Sequence, residues 1–367
     1  MRILEIIPQL SSGGAERFVV DLCNELSISN DVTLLVFHNL EQYGFYANEL
    51  SDKVRIISLN KKKGVSFLLF RKIYSIIRTL KPNVVHLHLS SIIYVSLSIL
   101  LFRTPKYFMT IHNDAEKEAE GVLGTMVRKF FFKNGLMVPV TISKQSFKSF
   151  VKYYDMSTVP MIYNGRKVCV DSAIPETVIN EFKQYKKAAS TKVIINIARI
   201  NVVKRQPMLA RIAKRLYEEG ADIALLMIGN PRDAKIMGEI DLEKAPNTYV
   251  LGERSNPIDF LRLADAFCLG SSYEGLPISL IEALGAGTIP ICTPVGGIVD
   301  VITDGENGYL ASDLSEDAMY DAFKRFLHAP SSDIMRMKMK VIASYASYSM
   351  EKCAAEYLRL FAERVGE

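Results

Sequence analysis

Paired cysteines are missing from this sequence: Cys23, Cys169, Cys268, Cys292 and Cys353 are scattered, odd in number and never at Cys-x-x-Cys spacing. That excludes a disulfide framework, and the five read as reduced core thiols of a cytosolic chain. Long apolar runs are missing too. The longest nearly uncharged one, IIYVSLSILLF at 92–102, is well short of the roughly 18 residues of a spanning helix, so it predicts a buried helix. The opening RILEIIPQL reaches a Gly-Gly turn without the apolar core and cleavage site of a secretory signal, and nothing directs export. No Ser/Gly/Pro tract or block of like charge marks disorder. Several catalytic motifs are absent as well: GxxxxGK(S/T), GxSxG, HExxH and the dinucleotide fingerprint GxGxxG, the last of which argues against a nicotinamide enzyme.

What is present suits a soluble two-domain protein. A chain of 367 residues, 49% hydrophobic and 23% charged, is too long for one ordinary core. Strand-like runs alternate with helical patterns: RILEIIP, DVTLLVF, VRIISL, NVVHLHL, YFMTIH, MVPVTIS and VPMIYN, then KVIINIAR, DIALLMIG, NTYVLG, AFCLGSS and TIPICT. This alternation predicts an α/β chain of two doubly wound parallel sheets. The polar, Pro-containing segment 164–177, ahead of a helix expected over FKQYKKAA, marks the join. Helices alone follow residue 313 or so.

Charge is uneven. Residues 1–170 hold 22 Lys+Arg against 13 Asp+Glu, a net +9, whereas the remainder carries −4. Much of the excess lies at 61–81 and 127–133, where basic residues alternate with Phe, Leu and Ile. Such stretches suit either an anionic membrane surface or a solvated helix face, and no nucleic-acid module accompanies them.

Chemistry concentrates after strands, where open parallel sheets bind ligands. In residues 271–297 a Gly-Leu-Pro turn (Gly275, Leu276, Pro277) opens an apolar helix, with Glu274 and Glu282 eight positions apart around it. The helix end offers unpaired N–H groups and a positive dipole suited to a diphosphate, and the acids can accept hydroxyl hydrogen bonds. A nucleotide sugar combines both features. After KVIINIA come Arg199 and Lys204, a fork and a point charge able to neutralise a diphosphate and stabilise a phosphate leaving group. After the first strand, Gly13 and Gly14 either let a ligand approach the following helix or simply make its turn. His86 and His88 share a strand face, but no Cys or third His at ligand spacing supports a metal site.

These segments (SGGAER, TIHN, MIYNG, NIARINVVK, SSYEGLPISLIEALGAGTIPICT and GENGYL) resemble family-four retaining glycosyltransferases, the glycosyl transferases group 1. The resemblance spans nearly the whole chain. It implies the GT-B fold, two Rossmann-like domains facing a cleft: residues 1–168 for the acceptor, 169–348 for the donor, and a C-terminal helix, 349–367, returning to the first domain. It implies that Glu282 holds the ribose and Glu274 the donor sugar, with Gly275, Leu276 and Pro277 presenting backbone groups. It also places His112 near the donor sugar, its carbonyl stabilising an oxocarbenium-like centre, and pairs Arg199 with Lys204 on the diphosphate. Two flanks depart from the family pattern. Ala198 and Arg205 replace common glycines, and Arg205 could compete for the phosphate. Leu251, Gly252, Arg254 and Ile278 are candidates for reading base or sugar.

No Asp-x-Asp occurs, so no metal or other cofactor is expected, and the cations and helix end must do that work. The expected donor is a UDP- or GDP-sugar of hexose type. The expected acceptor is a glycan, lipid-linked, in exopolysaccharide, capsule or lipopolysaccharide synthesis by a cytoplasmic enzyme peripheral on the membrane's inner face. A GT-B epimerase is disfavoured by the Glu274 and Glu282 pair. A non-catalytic sugar-binding protein at the membrane is disfavoured by cations placed for a leaving group.

Overall fold

A computed structural model describes residues 1–62, 64, 66–118, 121–231 and 233–366. Two compact units emerge, one of residues 1–166 with 348–367 and one of residues 167–347. In the first, six parallel strands form a sheet: β1 (Arg2–Ile7), β2 (Asp31–Val36), β3 (Arg55–Ser58), β4 (Val84–His88), β5 (Lys106–Ile111) and β6 (Val138–Thr141), in the order β3-β2-β1-β4-β5-β6. The second repeats the pattern with β7 (Lys192–Ile197), β8 (Ile223–Ile228), β9 (Thr248–Gly252), β10 (Ala266–Leu269), β11 (Ile289–Cys292) and β12 (Tyr309–Leu310), in the order β12-β11-β10-β7-β8-β9. The strand order therefore reverses between β1 and β4 and again between β7 and β10. Crevices at such reversals, outside the carboxyl ends of the strands, are where this architecture takes ligands.

Helices cover both faces of such sheets, which is why the strands read as unbroken apolar runs. All six residues of β8, IALLMI, are buried. The last helix, Met350–Gly366, belongs to the first unit, where it packs on the helix Gly14–Leu26 and on β5. Its Tyr357 hydroxyl lies 2.7 Å from Thr110 Oγ1.

Several sequence expectations need correction. VPMIYN is no strand: it meets the edge of β6 through one bridge, Thr141 to Met161. Pro160 has no N–H to continue a ladder there. The helix expected over FKQYKKAA runs earlier, Glu176–Lys183, starting just after Pro175, whose missing N–H costs nothing at a helix start. The helix Ile92–Leu101 buries Ile92, Val95 and Ile99 but exposes Leu100 and Leu101, so it is only half buried. β12, two residues long, is too short to leave a periodic signal. No disulfide forms, and of the cysteines only Cys169 is exposed. Among the described residues no helix is long and apolar enough to cross a membrane.

Candidate active site

In the second unit the loop after β7 and the loop after β10 meet at the strand-order reversal. Asn201 accepts a hydrogen bond from the Lys204 backbone N–H through its side chain, turning the chain through a single 3-10 turn. Arg205 follows with φ 53°, in the left-handed region that favours glycine. That accounts for the glycine expected there. The Arg205 side chain donates to the Leu314 carbonyl at 2.7 Å. Lys204 Nζ donates to Glu274 Oε1 at 2.5 Å, and Ser271 Oγ donates to the same oxygen at 2.6 Å. Ser272 N–H adds a backbone bond to Val203 O, so the two loops are stitched together beneath the side chains. Arg199 is exposed at the end of β7, its carbonyl held by Gln206 Nε2 at 3.0 Å.

Residues 274–278 are all buried, Glu274 included. Pro277 caps the helix Ile278–Ala286 with extended backbone and no side-chain bond, and its first turn holds no acid. Leu280 and Ile281 N–H bond back to Pro277 O, and the positive end of the helix dipole, with no side-chain cap and no acid in the first turn, favours an anion. Glu282 sits five residues into that helix, also buried. Of the other candidates, Arg254 is tied to Glu181 Oε1 at 2.8 Å, Gly252 ends β9 with φ 70°, and Ile278 starts the helix.

The first unit holds the remaining candidates. Gly13 precedes the helix Gly14–Leu26, whose first turn carries Glu16. The Glu16 carboxylate lies where a Gly13 Cβ would be and accepts from Ser11 Oγ at 2.7 Å, so this helix start is already met by an acid. His112 follows β5, nearly buried, with Nε2 3.0 Å from His88 Nδ1. Burial, with the neighbouring His88 and His86, holds the His112 ring well below the ordinary imidazole range, so it is neutral.

Sequence reasoning missed several contributors. Ser271 fixes Glu274. Gly296, with φ 55°, lies so close to the Glu274 carbonyl that a Cβ would overlap it, and Gly297 N–H bonds Gly275 O. Gly229, at the end of β8, is pressed equally close to the Ala198 carbonyl. Glu5 is another: an acid in the middle of an apolar parallel strand, a signal that predicts buried partners. Those partners are His86 and His88, and one atom from each of the three lies within 4.8 Å of the others. The set is metal-sized, yet the bonding atoms are already hydrogen-bonded to one another.

Residues 178–344 match the family model described as glycosyl transferases group 1, and residues 12–167 match that of Glycosyltransferase Family 4. An uncharacterized glycosyltransferase of Methanocaldococcus jannaschii is 31% identical over 66% of this chain, which spans 64% of that relative's length, less than two thirds. A Campylobacter jejuni enzyme named as an N-acetylgalactosaminyltransferase acting on a diphospho-undecaprenol-linked sugar is 24% identical, covering 88% of both chains. Among solved structures, Anabaena HepE in complex with UDP-glucose aligns with TM-score 0.79 at 14% identity, over 100% of this chain and 99% of that one, a likeness of fold.

Proposed function

Because the chain belongs to glycosyltransferase family four and has the GT-B fold, we propose that it moves a hexose-type sugar from a UDP- or GDP-sugar to a glycan hydroxyl. The observation that carries this reading is the cluster of Lys204, Glu274 and Ser271 beside an uncapped helix start, with Arg199 exposed at the adjoining strand end. Cations and helix N–H groups suit a diphosphate, and fixed carboxylates suit sugar hydroxyls. In the proposed reaction Glu282 accepts from the ribose and Glu274 from the donor sugar, while Gly275, Leu276 and Pro277 present backbone groups. Gly13 and Gly14 approach the donor with their backbone, the Glu16 carboxylate filling the space of a Gly13 side chain, and His112 is assigned to the donor sugar.

The bond between the anomeric carbon and the phosphate oxygen breaks as Arg199 and Lys204 stabilise the charge growing on the nucleoside diphosphate. The acceptor oxygen bonds the same face of that carbon, its proton passing to the leaving phosphate oxygen, so configuration is retained. No divalent metal is required for charge neutralisation in this scheme.

The acceptor we propose is lipid-linked, in cell-surface polysaccharide synthesis, with the enzyme peripheral on the inner membrane face. The first unit's surface supports this. The helix Phe67–Leu80 turns Leu69, Ile73 and Ile77 inward and exposes Phe67, Leu68, Arg71 and Lys72, and the helix Gly121–Lys133 exposes Val122, Met126, Lys129 and Phe130. Apolar side chains among basic ones suit an anionic lipid surface. Lys61 does not join them, since its ammonium bonds Gly64 O at 2.6 Å, and Lys63 lies outside the described residues.

Calorimetry with UDP- and GDP-sugars tests the donor site. One class binds, and Glu282→Ala weakens it by roughly 1.5–3 kcal/mol for lost hydrogen bonds to a charged group. A folded Glu282→Ala with unchanged affinity contradicts the ribose role.

A further inference from the structure

Beneath His112 runs a buried polar chain that the proposed reaction leaves unused. β1 and β4 pair in register with Glu5 opposite His86, and β4 and β5 with His88 opposite Thr110, so Glu5, His86, His88, Thr110 and His112 share one face of the first sheet. Phe18 of the helix Gly14–Leu26 sets its ring against His88 and His112, while Tyr357 and Phe361 of the last helix cover His86. Glu5, His86, His88, Thr110 and Tyr357 are fully buried, and only His112, at 7% exposure, reaches toward solvent.

The proton positions along this chain follow one from another. Burial alone would raise the Glu5 carboxyl, but attraction to His86 and the hydrogen bonds from His86 and His88 outweigh it and hold it at about 2, so Glu5 is a carboxylate and can only accept. His88 Nε2, 2.8 Å from Glu5 Oε2, must therefore carry a proton, as must His86 Nδ1 at 3.0 Å. Burial, with His86 nearby, lowers His88 to about 4, so its ring is neutral and its Nδ1 is a bare acceptor. His112 Nε2, 3.0 Å away, must then be the donor. Since His112 is neutral too, its Nδ1 holds a lone pair. The other branch ends structurally: His86 Nε2 lies 2.8 Å from Thr110 Oγ1, which lies 2.7 Å from the Tyr357 hydroxyl.

We propose that Glu5 is a positioning residue which, through His88, fixes the His112 imidazole with its proton on Nε2 and its Nδ1 as an acceptor at the carboxyl edge of the first sheet. A ring locked in one tautomer and one orientation holds the residue whose carbonyl, in the reading above, faces the donor sugar. The effect on turnover rests on that reading, whereas the tautomer does not, so the two fail separately.

The test uses full-length protein labelled with 15N-histidine. With 5 histidines in the chain, each ring can be assigned by single substitution in a two-bond 1H–15N correlation spectrum at neutral pH. His112 and His88 should both be Nε2–H, and His86 Nδ1–H. Glu5→Gln should give a mixture of His112 tautomers and lower kcat by at least about ten-fold with donor KM little changed, as expected when an imidazole loses the partner that sets its tautomer. Tyr357→Phe, which cuts only the structural branch, should leave both the His112 tautomer and kcat as they are. An Nδ1–H tautomer at His112 in the wild type overturns the proposal, even if Glu5→Gln fails to fold. So does a folded Glu5→Gln that keeps the tautomer, or one equivalent of zinc retained by the purified protein, because a metal on His88 Nε2 would displace the proton from which the relay starts. An intact relay with unchanged kcat in Glu5→Gln overturns its part in turnover, and leaves the donor site of the second unit unaffected.

Discussion

Lys204 Nζ and Glu274 Oε1, 70 residues apart in sequence, stand 2.5 Å apart at the point where the second sheet reverses its strand order. The contact pre-sets both groups, the carboxylate orienting the ammonium; in the proposed reaction a diphosphate would draw on the ammonium and the carboxylate would accept from a sugar hydroxyl. The two residues should therefore act as one unit.

Lys204→Ala and Arg199→Ala should lower kcat more than they lower donor affinity, since both groups answer charge that grows during bond breaking. For Lys204 and Glu274 the double variant should lose less than the summed single losses, with a coupling of about 0.5–3 kcal/mol. Steady-state kinetics on the four proteins of the cycle measures it. Strict additivity would remove the claim that the pair works together.

Gly296→Ala should damage the same site from a residue bearing no functional group. Its φ of 55° and the Glu274 carbonyl beside it leave no room for a methyl group. A cost of roughly 1–3 kcal/mol in stability is expected from the backbone alone, accompanied by weaker donor binding as the 274–277 turn shifts. Thermal unfolding and calorimetry report both, and a fully stable variant with intact binding would contradict the fit.

Acid should destabilise the first unit in two stages. His88 takes up its proton near pH 4 when folded, against 6.5 ordinarily, so between those values the unfolded chain binds a proton that the folded chain refuses. Stability then falls as pH drops through that window. Glu5, lowered from 4.5 to about 2, adds a contribution present above 4.5 and lost as pH falls toward 2. Urea midpoints taken from pH 7 to pH 4 should decline, and His88→Gln should flatten the decline. A flat wild-type profile would refute the neutral buried ring.

At the membrane, wild-type protein should sediment with phosphatidylglycerol vesicles at low salt and detach as ionic strength rises, because screening shortens the range to about 8 Å at physiological salt. Replacing Phe67 and Leu68 by Ser and Arg71 and Lys72 by Gln should lower vesicle binding and leave nucleotide affinity intact. Equal sedimentation of variant and wild type would return these residues to a solvated helix face.

The repeated strand order was legible because buried parallel strands must be apolar on both faces, and runs such as IALLMI announce themselves. The turn at 274–277 was legible for a different reason: its acid, glycine and proline fall within four consecutive residues, so their chemistry is local. Other contributors were hidden by distance. Glu5 finds His86 across 81 residues, through a strand register that no local pattern encodes. Gly296 serves Glu274 from the far side of β11, and Arg205 takes a backbone shape that usually calls for glycine. The edge segment VPMIYN misled because β-branched and apolar residues suit a strand anywhere, whereas its proline permits only a bridge.

Sugar transfer from a nucleoside diphosphate donor is measured most directly by the release of that diphosphate. Purified protein is incubated with a panel of UDP- and GDP-sugars in EDTA, with and without an undecaprenyl-diphosphate-linked glycan, and both diphosphate and glycosylated lipid are quantified. We expect one donor to be consumed in the presence of acceptor, with diphosphate and product formed in equal amounts and the anomeric configuration of the donor kept. Donor epimerised without diphosphate release, activity restored only by manganese, or no turnover of any nucleotide sugar alongside tight binding would contradict the account.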